Sequence, residues 1–134
     1  MIDEKTGWYF VHASVKAVVV DDGSVLLCRT HRDDWELPGG WPDRADRTLA
    51  DTVVREVREE CGIEVTAGDV IHADLFRVGD NPVVIVVLVA TPTRPYSLTH
   101  SVEHRETRFF PTAELPSPLP PVYRDAIRKA EAHA

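Results

Sequence analysis

Apolar residues along this chain follow two rhythms, and the change of rhythm separates strands from helices. Val15 to Val20 is a mostly apolar run, followed by Asp21-Asp22-Gly23-Ser24 and a second run, Val25-Leu26-Leu27-Cys28. Two apolar runs around an Asp-Gly predict a β-hairpin. Arg29 to Asp34 is polar and reads as loop, and Trp35-Glu36-Leu37 predicts a short strand entering a Gly39-Gly40 turn. Then Ala50, Val53, Val54, Val57 and Cys61 recur three and four positions apart, the period of a helix face. That helix is expected to start near Thr48, where Thr48-x-x-Asp51 has the form of a capping box. Val70 to Arg77 and Val83 to Ala90 predict two strands joined by Gly79-Asp80-Asn81-Pro82. The second is apolar at successive positions, as in a central strand covered on both faces. Thr107 to Phe110 predicts a shorter strand. After the proline-rich connection Pro111 to Pro121, Val122 to Ala132 predicts a C-terminal helix. This order implies an α/β (α+β) fold with a mixed β-sheet sandwiched between helices.

Composition narrows the function. The 134 residues, 43% hydrophobic and 28% charged, suit one soluble globular domain spanning 1–134. The net charge of −7 argues against nucleic-acid binding, which rests on phosphate neutralisation by Lys and Arg. It leaves room for a small polyanionic substrate, because a bound cation reverses the local sign of an acidic site. Val83 to Ala90, the longest apolar run, is too short to cross a bilayer, and the N-terminus lacks the basic and apolar regions of a secretory leader. Cys28 and Cys61 both sit in apolar patterns and are read as reduced core residues, so the expected compartment is the cytoplasm.

The chemistry concentrates in Arg55-Glu56-Val57-Arg58-Glu59-Glu60-Cys61-Gly62. On a helix, Glu56, Glu59 and Glu60 fall on one narrow face, where like charges repel by roughly 0.2–0.5 kcal/mol per pair. A divalent cation removes that repulsion. An all-carboxylate set suits Mg²⁺, or Mn²⁺, better than Zn²⁺. Arg55, placed i,i+4 from Glu59, is a helix-stabilising partner.

Together with Leu37-Pro38-Gly39-Gly40, this segment resembles the signature of the Nudix hydrolases: Gly, five residues, Glu, seven residues, then Arg-Glu-apolar-any-Glu-Glu-any-Gly-apolar. The second half matches at every specified position. In the first half the residues 41 to 54 are one more than the pattern allows, and its first Glu falls on Asp46 or Arg47 according to the end counted from. In the family that Glu pairs with the motif arginine, a part that Asp46 is placed to take with Arg55. The resemblance implies a Nudix-type α/β/α sandwich and a Mg²⁺-dependent hydrolase. It further implies metal binding by Glu56, Glu59, Glu60 and the carbonyl of Gly40, with Arg55 supporting the catalytic set. Ser101 to Pro111 resembles the family segment that brings one further Glu to the metal. Glu103 is the candidate there, Glu106 its rival, and the general base is Glu56 or Glu103.

Around this centre, Arg29, Arg32 and Arg77 are candidate phosphate contacts, since guanidinium matches phosphate geometry. Trp41 is the candidate stacking surface for a nucleobase, ahead of Trp35, Tyr9 and Phe76. His31, His72, His100 and His104 show no metal spacing with Cys and are read as solvated or capping residues. The tail from Glu103 through Glu114-Leu115-Pro116 resembles that of ADP-ribose hydrolases, so the expected substrate is a nucleoside diphosphate linked to another group. A (deoxy)nucleoside triphosphate pyrophosphatase of the housecleaning type is the alternative. A nucleotide-binding domain without catalysis is the rival from another class. Trp8-Tyr9-Phe10-Val11 predicts either an edge strand or a homodimer contact.

Overall fold

The computed structural model describes residues 1–133. Strands β1 (His12–Asp21) and β2 (Ser24–Arg29) form the expected hairpin. Val20 pairs with Val25 and Asp21 with Ser24, leaving Asp22-Gly23 as a two-residue turn with φ of 50° and 78°. Positive φ at both positions matches the twist of the strands it joins. Strand β3 (Trp35–Glu36) then pairs with β2.

Gly39-Gly40 is not a turn but strand β4 (Gly39–Gly40), with Val15 opposite Gly40 and Lys16 opposite Gly39. A side chain is what this pairing excludes. Gly39 has φ of 144°, and a Cβ there would collide with the carbonyl of Val15. Two glycines read as a break because they lack side chains, and for the same reason they can press against a neighbouring strand.

Helix α1 (Leu49–Cys61) has its capping box in place. Thr48 Oγ1 accepts from the Asp51 N–H, and the Asp51 carboxylate accepts from the Thr48 N–H. Gly62, with φ of 71°, ends it in the left-handed region. Strand β5 (Val65–Val78) begins five residues before the expected Val70, since Val65, Thr66 and Ala67 already pair with Pro92, Thr91 and Ala90. Register shifts on either side of Val70 break the alternation, and Gly68 lies within the bulged stretch. Strand β6 (Asn81–Pro92) takes in Asn81 and Pro82, so the turn is Gly79-Asp80 alone. Strand β7 (Glu106–Pro111), a 3₁₀ turn at Thr112–Glu114 and helix α2 (Pro121–His133) complete the chain.

The seven strands join in the order β3-β2-β1-β6-β5, with β4 added to β1 and β7 to β2. At the centre β1 runs parallel to β6, from His12 opposite Val83 to Val19 opposite Ala90, and the other ladders are antiparallel. The sheet is therefore mixed. Alternation along its strands feeds two cores. Val15, Ala17, Val19, Leu26 and Cys28 pack with Val53, Val57 and Cys61 of α1. Val18, Val25, Leu27, Ile85 and Val87 pack with Tyr123, Ala126, Ile127 and Ala130 of α2. Each fully buried Val or Leu contributes about 1.5–3 kcal/mol, and the two layers fix α1 on one face of the sheet and α2 on the other.

Between β7 and α2, Leu119 is buried and the Pro118 carbonyl accepts from the Trp35 N–H at 3.0 Å. The N-terminal segment turns back on itself through an Ile2–Tyr9 bridge, with Trp8, Tyr9 and Phe10 exposed. No helix among the described residues is long and apolar enough to cross a membrane.

Candidate active site

Glu56, Glu59 and Glu60 lie along one side of α1 and descend from solvent into the core. The Glu59 side chain is 57% exposed, Glu56 15% and Glu60 4%. They line a cleft of about 410 Å³ with Gly39, Gly40, Trp41, Ser101 and Glu103. The stripe of Val53, Val57 and Cys61 beside them is buried, so packing of the apolar face holds the acidic face at the opening. Gly40 sets how near the helix comes to β4, because a Cβ there would stand 2.6 Å from Glu56 Oε1.

Arg55 ties the glutamates to the preceding loop. Its Nε donates to Asp46 Oδ1 at 3.2 Å and its Nη2 to Asp46 Oδ2 at 2.9 Å. Further donation reaches Glu56 Oε1 at 3.1 Å, Glu59 Oε2 at 3.3 Å and the Trp41 carbonyl at 3.0 Å. Asp46 also accepts from Thr52 Oγ1 at 2.9 Å. The guanidinium, with backbone and hydroxyl donors, holds the Asp46 carboxyl well below the usual carboxylate range, and Asp46 in turn raises Arg55. Asp46 thus makes the arginine contact that its count from Gly40 predicted.

Glu60 sits in a different medium. Its Oε1 accepts from the Gly39 N–H at 3.0 Å, and its Oε2 lies 3.4 Å from His104 Nδ1. Burial pushes Glu60 up to about 9, against the pull of Lys16 and the Gly39 N–H, and Glu56 beside it adds to the rise. Lys16, which reaches the Gly39 carbonyl at 3.4 Å, is held above its usual value: burial opposes this, but Tyr123, Glu36 and Glu60 outweigh it. Glu36 would be raised by burial, yet His104 and Lys16 bring it below its usual value. Half-buried Glu36 is thus linked through buried His104 to buried Glu60, and Lys16 acts on both carboxylates.

The connection from β6 to β7 brings the remaining groups. It also satisfies orphan carbonyls at the end of α1: the Thr99 N–H donates to the Cys61 carbonyl at 2.9 Å and the Ser101 N–H to the Glu60 carbonyl at 3.2 Å. Glu103 lines the cleft. Glu106 is engaged in β7, paired with Arg29 at 3.3 Å and Arg108 at 2.9 Å. His104 is 3% exposed rather than solvated, a position that sequence reading missed. Its partner Glu36 lies 68 positions away, so no local spacing announces it.

Trp41 lies at the mouth, 59% exposed and stacked on His12 at 4.3 Å between ring centroids. It also borders a second cleft of about 400 Å³, whose lining includes Lys16, Arg32, Trp35, Phe76 and Tyr123. Among the described residues, Arg29 and Arg77 line neither cleft. Arg29 is paired with Glu106 and Asp33, and Arg77 donates to the Asp80 carbonyl at the β5–β6 turn.

A sheet between two helices, with an acidic helix facing a diglycine strand across a cleft, defines a class of hydrolase fold. The family model described as NUDIX domain matches residues 11–130, and the chain belongs to the Nudix family. It is accordingly an enzyme, a pyrophosphohydrolase. It is similar in structure to a MutT NUDIX hydrolase from Burkholderia pseudomallei, at TM-score 0.78 and 24% identity over 90% of this chain and 98% of that one. An ADP-ribose pyrophosphatase from Streptococcus suis gives TM-score 0.75 and 25% identity over 92% of both chains. A UDP-X diphosphatase gives TM-score 0.79 and 16% identity over 98% of this chain and 68% of the other. No curated protein sequence matches the chain. Hydrolases of this family generally use a divalent metal, and three carboxylates converging on one cleft are a hard-oxygen donor set that fits such an ion.

Proposed function

We propose that this chain is a Mg²⁺-dependent pyrophosphohydrolase that cleaves a nucleoside diphosphate linked to another group, ADP-ribose or a nucleotide sugar in its chemistry. The observation that carries this reading is the junction at Trp41. On one side lies the carboxylate cleft, suited to a cation and a diphosphate, and on the other an aromatic-lined cleft suited to a nucleoside. The 25% identity with an ADP-ribose pyrophosphatase supports the same substrate class.

Glu56, Glu59, Glu60 and the Gly40 carbonyl would hold the cation, with Mn²⁺ able to replace Mg²⁺. Bound there, the cation offsets the charge of the phosphate oxygens and acidifies a water. Arg55 fixes Glu56 and Glu59 in place. Water attacks one phosphorus, the bridging P–O bond breaks, and the water's proton passes to Glu103 or Glu56. The products are a nucleoside monophosphate and the phosphorylated second group. Two buried free thiols, Cys28 and Cys61, fit a reducing compartment such as the cytoplasm.

A panel of pyrophosphate compounds incubated with Mg²⁺ or with chelator, and resolved by chromatography, tests the reading. ADP-ribose is expected to yield AMP and ribose 5-phosphate with Mg²⁺ and to remain intact with chelator. Preferential release of pyrophosphate from nucleoside triphosphates would move the enzyme to the housecleaning class. Turnover unaffected by chelator would remove the cation from the reading.

A further inference from the structure

Behind Glu60, on the side away from the cleft, three unlike ligand atoms converge. His104 Nε2 lies 2.7 Å from Glu36 Oε1. That contact engages one ring nitrogen and leaves Nδ1 as the other ligand atom the ring can offer. That Nδ1 is shielded from solvent and, among the described residues, has no hydrogen-bond partner. It faces Glu60 Oε2 at 3.4 Å, so an unpartnered ring nitrogen and a carboxylate oxygen stand within reach of one bound ion. Cys28 Sγ completes the set: one ligand atom from each of Cys28, Glu60 and His104 lies within 4.8 Å of the others, and all three residues are buried.

We propose that Cys28, Glu60 and His104 form a second cation site, selective for a thiophilic divalent ion of the zinc class. Tetrahedral bonds of about 2.0–2.3 Å place ligand atoms roughly 3.3–3.8 Å apart, so the His104–Glu60 edge already fits, and Cys28 supplies a thiol within 4.8 Å of both. Thiolate and imidazole favour zinc over magnesium. A thiolate, a carboxylate and a neutral imidazole carry two negative charges, which a dication cancels in this buried setting. The thiol proton leaves to solvent as the ion binds. Glu36 then stands behind the ligating imidazole, the arrangement that orients histidine at zinc. Because Glu60 also lines the open cleft, it provides the route of entry and makes the two cations compete. An ion in the buried site takes Glu60 from the hydrolytic one, so zinc-class ions inhibit.

Equilibrium dialysis of the full chain against Zn²⁺, and titration with Cd²⁺ followed by the ultraviolet thiolate-to-cadmium band, read the site without reference to turnover. One Zn²⁺ per chain and a thiolate band are expected. Affinity should fall ~10–100-fold in Cys28→Ser and in His104→Asn. Glu59→Gln, which alters only the open cleft, should leave dialysis unchanged. If Cys28→Ser does not fold, His104→Asn on the connecting loop reads the same site. Absence of the thiolate band overturns the proposal. So does zinc retained in Cys28→Ser and His104→Asn but lost in Glu59→Gln. Neither result touches the hydrolytic reading, which stands on Mg²⁺-dependent turnover.

Discussion

The Arg55 guanidinium serves four acceptors, and Asp46 takes two of its hydrogen bonds. Planar donation of this kind fixes orientation as well as charge, which a lysine would not do. Asp46→Asn removes the charge and keeps the shape, so Arg55 is freed to swing and Glu56 and Glu59 lose their common anchor. Turnover at limiting Mg²⁺ should fall roughly 10–100-fold, as is usual when a residue behind a metal ligand is lost. Steady-state assays across Mg²⁺ concentration check this, with circular dichroism confirming the fold. At this scale the sequence was legible where chemistry follows local spacing. Glu56, Glu59 and Glu60 announced themselves by helical period, and Asp46 by its count from Gly40. His104 did not, because its partners Glu36 and Glu60 come from other elements. Arg29 and Arg77 look alike to any phosphate in a sequence, and only pairing with Glu106 and with the Asp80 carbonyl shows them occupied elsewhere.

Helix α1 divides its labour between its ends. Its N-terminus is held by the Thr48 and Asp51 box, whereas the glutamates occupy its C-terminal half. Thr48→Ala should cost about 1 kcal/mol in urea unfolding while leaving turnover nearly unchanged. Gly40→Ala should do the reverse: the added methyl displaces the Glu56 carboxylate from Arg55, lowering turnover with little loss in urea midpoint. Equal effects of the two variants on turnover would show that helix stability, not the approach of β4, governs the site. The elements themselves were largely readable from periodicity. The exceptions were β4 and the first residues of β5, where Gly39-Gly40 and Gly68 look like interruptions. Their backbone partners, Val15 and Lys16 in β1 and Ala90 to Pro92 in β6, each stand more than twenty positions away.

Over the whole molecule, one connection does two tasks. The segment between β6 and β7 supplies donors to the last carbonyls of α1 and places Glu103 in the cleft that α1 lines. If Glu103 takes the proton from water, Glu103→Gln should lower kcat about 100-fold or more and leave the Mg²⁺ activation constant near that of the wild type. A rise in that constant matching the loss of kcat would make Glu103 a ligand instead. Burst-free steady-state assays at several Mg²⁺ concentrations separate the two.

The parallel pairing of β1 with β6 also dictates a sequence of events during synthesis. Partners such as His12 and Val83 are about seventy positions apart, so the central ladder closes only after most of the chain has been made. A ribosome that has translated no further than α1 has released β1 with the edge that β6 will cover still open, and Val15, Ala17, Val18 and Val19 lie along it. Such an edge is what chaperones shield and what neighbouring nascent chains join. Glu103 is made later still, after the last residue of β6, so the cleft is completed only when the strand that covers β1 is already part of the chain.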